Sequence, residues 1–146
     1  MKIIIDENLS YESTEIVIKC KSKDDKIYSL LKKIEVLNEK IEVNRNNESY
    51  FIEPNNLLYI ETVDKKTFLY DQECVYETPM KLYELESLLE IYDFIRVNKS
   101  SIINLNQVQS LAPDFNGRII MKMNNEEKII VSRQYAINVK QKLGVK

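Results

Sequence analysis

The sequence of 146 residues predicts one mixed, β-rich α+β core, with room for a small appendage. From residue 50 onward, short runs of β-branched and aromatic residues follow one another at short intervals, with turn residues between them. The three-and-four spacing of a helix face occurs in segments at the margins of these runs, at residues 24–38, 80–91 and 132–143. We therefore expect strands in the centre and helices at the periphery.

The first 44 residues are predicted to form a β-β-α segment of their own. Residues 2–5 and 15–20 are short β-branched runs bounded by polar turn residues, which is typical of strands. The following helix would present an apolar face made of Ile27, Leu30, Leu31, Ile34 and Leu37. Residues 41–43 suit a further strand, and residues 44–49 have the composition of a loop. We accordingly divide the chain into units 1–44 and 45–146.

The second unit is predicted to consist of short strands and two helices. The predicted strands are residues 50–52, 57–63, 67–70, 74–76, 94–97, 108–111, 118–123 and 128–131. Residues 64–66 turn a hairpin, and Pro79 suits the start of the helix at 80–91. Ser132 is a suitable N-cap for the last helix, and Gly144 is a suitable residue just beyond its end.

The composition argues against most enzyme, metal and cofactor sites. Without histidine the chain has no Ser-His-Asp or Cys-His machinery and no imidazole metal ligand, and two glycines cannot build a phosphate-cradling loop. Cys20 and Cys74 form no CxxC pair, so we expect two buried, reduced thiols. We predict no enzyme, no metal and no cofactor, although carboxylates that meet only in space remain an open third interpretation.

The localisation expected from the sequence is cytoplasmic. No apolar run approaches the 18 residues of a membrane span. The first 20 residues contain Asp6, Glu7, Glu12 and Glu15, where a signal peptide would need a basic start and an apolar stretch.

The net charge of −2 hides an uneven distribution. Residues 1–93 contain 12 Lys and Arg against 20 Asp and Glu, a net charge of −8. Residues 94–146 contain nine against three, a net charge of +6. Such asymmetry indicates a region that faces a polyanion, and nucleic acid is the commonest polyanion in a cell, although solvated charged faces would give the same count.

Residues 94–105 combine apolar anchors with polar side chains suited to DNA. Arg96, Asn98, Lys99 and Ser100 alternate here with Phe94, Ile95, Val97, Ile102, Ile103 and Leu105. Arginine and lysine neutralise phosphates or meet guanine, asparagine can pair with adenine, and serine donates to phosphate. The residues would equally serve to cap a turn and solvate its surface.

This segment resembles the signature of the LytTR family of bacterial DNA-binding domains: an aromatic residue, a short basic strand, a basic-Ser turn and an apolar pair ending in Asn. Residues 57–61 resemble the family's early strand, residues 82–89 its Leu-Glu-rich helix, and residues 130–135 its closing strand and Ser-Arg-x-Tyr helix start. The match covers about residues 45–146. Asn98 stands where the family often has histidine.

The resemblance implies a LytTR-like elongated β-sandwich with peripheral helices, in which loops rather than a recognition helix reach double-stranded DNA, often at paired direct-repeat sites. The positions matching its contact loops are Lys65, Lys66 and Thr67, then Asn98, Lys99 and Ser100, and finally Arg133. Arg118 would extend the positive surface.

The leading hypothesis is thus a sequence-specific DNA-binding transcriptional regulator that resembles the family's stand-alone members, which lack a receiver domain. The alternative is a protein-interaction module whose acidic first part docks a regulatory partner. Two roles stay open for residues 1–44: docking a membrane-bound regulatory partner protein, and forming a homodimer.

Overall fold

A computed structural model describes residues 1–35 and 39–144. In that part of the chain there are three α-helices, α1 (Asp25–Glu35), α2 (Leu82–Leu89) and α3 (Arg133–Leu143). Residues 36–38, which the sequence assigned to the end of the first helix, lie outside the described residues. Helices α1 and α3 begin within one residue of their predicted starts, whereas α2 begins at Leu82, with Lys81 rather than Pro79 at its start.

Ten strands in the described residues form two antiparallel sheets. The strands are β1 (Ile41–Arg45), β2 (Glu48–Ile52), β3 (Tyr59–Val63), β4 (Lys66–Tyr70), β5 (Val75–Thr78), β6 (Phe94–Asn98), β7 (Ser101–Asn104), β8 (Val108–Pro113), β9 (Ile119–Met123) and β10 (Lys128–Val131). The large sheet has the order β2-β1-β5-β4-β3-β7-β6, and the small sheet has the order β10-β9-β8. The expected mixed, β-rich class is confirmed. The strand β7 is not among those that the sequence predicted.

The large sheet lies between two hydrophobic cores because its strands are apolar on both faces. One core joins Ile60, Leu69 and Ile102 to the α2 residues Leu85 and Leu89. The other joins the opposite face to the small sheet and α3, through Tyr59, Ile95, Val97, Ile103, Met121, Met123, Val131, Ala136 and Val139. Burial on both sides explains why β7, whose four residues Ser-Ile-Ile-Asn are all buried, shows no alternation of apolar and polar residues.

The strands predicted at residues 2–5 and 15–20 are wrong for the structure as described. Residues 1–24 contain no strand and no helix, and almost all of their side chains are exposed. An isolated pair of short strands is at best marginally stable in water, and within the described residues neither run lies beside another strand. Cys20 is exposed as well, so the expectation of two buried thiols is wrong for this residue.

The loop predicted at residues 44–49 is instead a tight hairpin between β1 and β2. Its two turn residues, Asn46 and Asn47, have φ angles of 51° and 64°, the left-handed conformation that two-residue hairpins favour and asparagine tolerates. Because β1 also pairs with β5 through Asn44 and Glu77, strand pairing of the large sheet includes residues on both sides of position 44.

Candidate nucleic-acid interface

The pairing of β3 with β7 brings two of the predicted contact loops to one end of the large sheet. The strands are antiparallel with Glu61 opposite Ser101, and the amide of Thr62 donates to the carbonyl of Ser100 over 2.8 Å. The β3–β4 turn, which follows β3, and the β6–β7 turn, which precedes β7, therefore lie side by side.

The start of α3 is tied to the same end by two hydrogen bonds to β6. The amide of Ser132 donates to the carbonyl of Val97 over 2.9 Å, and Asn98 Nδ2 donates to the carbonyl of Ile130 over 2.9 Å. Three loops that are far apart in sequence thus meet. We call this surface, made of the β3–β4 turn, the β6–β7 turn and the start of α3, the basic end.

The β3–β4 turn presents lysines but not threonine. Asp64 and Lys65 occupy the turn with φ angles of 51° and 66°, and both Lys65 and Lys66 are exposed. Thr67 is only 6% exposed, because it alternates to the face opposite Lys66 and lies beside Thr78 of β5. Thr67 also lines a shallow cleft with Lys65 and Lys66, so its predicted contact with DNA stays a prediction for a residue that presents little of its side chain to solvent.

The β6–β7 turn is organised by Asn98. Its Oδ1 accepts hydrogen bonds from the amide of Ser100 at 2.9 Å and from the Ser100 hydroxyl at 3.1 Å, while its Nδ2 bonds to β10. Asn98 is half-buried, whereas Lys99 and Ser100 are exposed. This geometry gives Asn98 the role of shaping the turn and leaves Lys99 at its tip, facing solvent.

Arg96, which the sequence placed among the polar side chains suited to DNA, is a structural residue of this turn. Its Nε donates to the carbonyl of Asn98 over 3.0 Å, and its Nη2 donates to the carbonyl of Lys99. Its Nη1 pairs with Glu86 of α2 at 3.4 Å. The guanidinium therefore makes intramolecular hydrogen bonds, and these hold the backbone from which Lys99 projects. The sequence offers one clue to this role: Arg96 precedes the two residues whose carbonyls it binds by only two and three positions.

Arg133 is exposed at the first position of α3, and its aliphatic stem lies against Gly117. Gly117 has a φ of +79° in the loop between β8 and β9. The neighbouring Arg118 is exposed and paired with Asp114 at 3.1 Å, which offsets part of its charge. The β8–β9 loop thus brings Arg118 near the basic end, although its charge is partly neutralised.

One further cation, Lys81, lies beside the basic end and was missed by sequence reasoning. It shares with Lys65, Lys66 and Thr78 the lining of a shallow cleft of about 350 Å³. Lys81 caps the start of α2, where its amide donates to the Glu84 carboxylate over 3.1 Å. Only strand pairing reveals this proximity, because β5 returns the chain to the β3–β4 turn before α2 begins.

A tyrosine pair lies on the face of the large sheet that the small sheet covers. Tyr59 and Tyr70 stack with ring centroids 4.5 Å apart, and the Tyr70 hydroxyl donates to the Glu61 carboxylate. Burial and this hydrogen bond raise the pKa of Tyr70 far above its usual value, so its hydroxyl stays a donor. Glu61 is thereby engaged internally on the strand that leads to the basic end.

The described residues contain no group of three or more Cys, Asp or Glu placed to hold a metal ion. None of the helices in that part of the chain has the length and apolar character of a membrane span.

A strand-rich domain that gathers exposed cations at one end of its sheet has the charge pattern of a nucleic-acid-binding domain. The profile of the LytTr DNA-binding domain matches residues 47–144. The chain therefore belongs to the LytTR family of DNA-binding domains.

Solved and curated relatives agree with this membership. The structure of a LytTr DNA-binding domain of a putative methyl-accepting/DNA response regulator from Bacillus cereus superposes with a TM-score of 0.69 at 28% identity, over 73% of this chain and 98% of that one. The sensory transduction protein LytT of Enterococcus faecalis is 26% identical over 107 residues, which are 73% of this chain and 44% of the relative. The transcriptional regulatory protein YpdB of Escherichia coli is 32% identical over 80 residues, which are 54% of this chain and 33% of the relative. The chain thus spans less than half of these two curated relatives.

Proposed function

We propose that the protein is a transcriptional regulator that binds double-stranded DNA sequence-specifically through the basic end. The observation that carries this proposal is the convergence of three loops with exposed cations, at Lys65, Lys66, Lys99 and Arg133, on one end of a single sheet. Membership of the LytTR family, and similarity to the transcriptional regulatory protein YpdB, support it.

The residues of the basic end divide into contacts and supports. Arg133 combines a guanidinium with the exposed amides of a helix start, a geometry that suits either a guanine edge or a phosphate. Lys99 projects from a turn whose shape Asn98 and Ser100 maintain. Lys65 and Lys66 on their hairpin neutralise backbone phosphates and set the register, and Arg118 adds to the positive surface.

The wider setting of this activity follows from the same proposal. Such a regulator works in the cytoplasm on paired direct-repeat sites, and two copies of the chain occupy one target. A membrane-bound regulatory protein is a suitable source of its signal, and residues 1–44 provide a surface on which to receive it.

Fluorescence anisotropy at several salt concentrations tests the proposal. Labelled duplexes from the promoter of its own operon are titrated with the protein, next to duplexes of scrambled sequence. The logarithm of the binding constant should fall with the logarithm of salt concentration by about 0.9 for each phosphate neutralised. Lys99→Ala should weaken binding, whereas Lys140→Ala, a charge-matched change at the other end of α3, should leave it nearly unchanged. Equal, salt-insensitive binding to both duplexes would overturn the proposal.

A further inference from the structure

Residues 1–24 expose an unusual amount of apolar surface. Eight apolar side chains are each at least 55% exposed: Met1, Ile3, Ile4, Ile5, Leu9, Tyr11, Ile16 and Val17. At roughly 100 Å² of side chain each, they present on the order of 800 Å². Monomeric proteins seldom leave so much apolar surface uncovered, so we expect part of this segment to pack on another surface.

The large sheet has an open edge at β2. The order of the sheet leaves β2 paired with β1 alone, so within the described residues no strand covers its outer side. Phe51 of β2 is 63% exposed on one face, while Tyr50 and Ile52 pack against the core on the other. An open edge with apolar side chains is a template for one more strand. The opposite edge differs, because β6 is covered by its contacts with β10 and α3.

We propose that residues 15–19 of one copy add to β2 of a second copy, and that the exchange is reciprocal and forms a dimer. Antiparallel addition with Val17 opposite Tyr50 places Lys19 opposite Glu48 and Ile16 opposite Phe51. A cross-strand pair of opposite charges and a cross-strand pair of an aromatic with a β-branched residue each stabilise a sheet. Val17 then continues the core face of Tyr50, and Ile16 covers the exposed ring of Phe51.

The other apolar run fits this edge less well. In the same orientation, with Ile4 opposite Tyr50, residues 2–6 would place Asp6 opposite Glu48, and like charges directly opposite one another are destabilising. Residues 15–19 are the better match, because their register pairs Lys19 with Glu48 while it also places Ile16 on Phe51.

A second copy is the occupant that satisfies both surfaces at once. Each chain carries one strand to donate and one edge to receive it, so a two-fold arrangement closes with neither left over. The proposal rests on the proposed function only in that it supplies the two copies needed at paired DNA sites. It assigns no DNA contact to residues 1–24.

Sedimentation equilibrium of the full chain and its variants tests the exchange. We expect a dimer for the unmodified chain. Ile16→Asp should raise its dissociation constant by more than about tenfold, since it puts a charge into the apolar contact with Phe51. Ile137→Asp, a matched change of an exposed isoleucine on α3, should leave the dissociation constant unchanged. Circular dichroism checks that each variant is folded.

A charge exchange tests the register and the partner. Lys19→Glu and Glu48→Lys should each weaken the dimer by about two- to fivefold, and the double variant should recover it. An equimolar mixture of the two single variants should also recover it, because in the mixed dimer both pairs are again of opposite charge. A wild-type monomer, or recovery in the double variant without recovery in the mixture, would overturn the exchange.

Binding of each variant to a duplex with a single site separates this proposal from the proposed function. A chain that dimerises as expected but binds no DNA would refute the function and leave the exchange standing. A monomeric chain that binds one site would refute the exchange alone.

Discussion

Gly117 and Arg133 lie in direct contact across two loops of the basic end. A Cβ added at Gly117 would lie 3.1 Å from Cγ and 3.2 Å from Cδ of Arg133. The absence of a side chain at residue 117, in the loop between β8 and β9, thus sets the path of an arginine stem at the start of α3. A side chain at position 117 would therefore force the Arg133 stem to move by a few tenths of an ångström.

Gly117→Ala should lower the affinity for specific DNA, because the added methyl group displaces the stem of Arg133. It should also cost about 1 kcal/mol of stability, since alanine is strained at a φ of +79°. Gly144→Ala is the matched control: its φ is +73°, but nothing lies within 4 Å of an added Cβ. Anisotropy and chemical denaturation should show a similar loss of stability in both variants and a loss of affinity only in Gly117→Ala. An equal effect on affinity would contradict the positioning role.

Arg133→Ala should cost roughly 1–3 kcal/mol of specific binding if the guanidinium reads a base. Affinity for scrambled DNA should then fall much less, which narrows the gap between the two duplexes. Parallel anisotropy titrations at one salt concentration measure both. An equal loss on the two duplexes would reassign Arg133 to the phosphate backbone.

Arg96→Lys should weaken DNA binding nearly as much as Arg96→Met. A guanidinium donates in a fixed plane to two carbonyls and to Glu86, and an ammonium cannot reproduce this pattern. Loss of the internal hydrogen bonds should also destabilise the fold by about 2 kcal/mol. Thermal unfolding and anisotropy measure the two effects. Wild-type affinity in Arg96→Lys would show instead that only the charge of residue 96 matters.

Tyr76 should make the fold sensitive to alkaline pH. Burial, reinforced by the charge of Asp71 and a 3.2 Å hydrogen bond to it, raises the pKa of Tyr76 to about 12 from a usual value near 10. The folded state thus holds the proton more tightly than the unfolded state. The resulting stability is fully present below pH 10 and is lost as the pH rises toward 12.

Tyr76→Phe should remove part of this dependence and flatten the stability curve between pH 10 and 12. Urea unfolding followed by far-ultraviolet circular dichroism at several pH values measures it. Tyr83→Phe is the control, because Tyr83 is 68% exposed. The same slope in Tyr76→Phe and in the unmodified chain would contradict the assignment.

The spacing of apolar residues predicted most helices and strands of the domain, because that spacing depends on residues close together in sequence. Periodicity located all three helices, and alternation located β9, whose residues alternate between buried and half-buried. The pattern missed β7, since burial on both faces removes alternation, and it missed the β1–β2 hairpin, since an Asn-Asn pair suits either a loop or a tight turn. It also predicted strands in residues 1–24, because β-branched residues indicate strand propensity without identifying a pairing partner.

The candidate site shows the same division. Sequence motifs selected Lys65, Lys66, Lys99 and Arg133, all of which are exposed. They could not reveal that strand alternation buries Thr67. Nor could they reveal that the Asn98 amide and the Arg96 guanidinium form hydrogen bonds within the protein. Such distinctions depend on which atoms meet across the sheet.

The sequence by itself determined the class of fold, the family and the residue types of the contact loops, because these depend on composition and short-range order. Only the tertiary structure decided that the three loops share one end, that Gly117 lies under Arg133, and that β2 is an open edge. The physical reason is that hydrogen bonds between strands join residues dozens of positions apart, and the energy of such contacts has no signature in any single stretch of sequence.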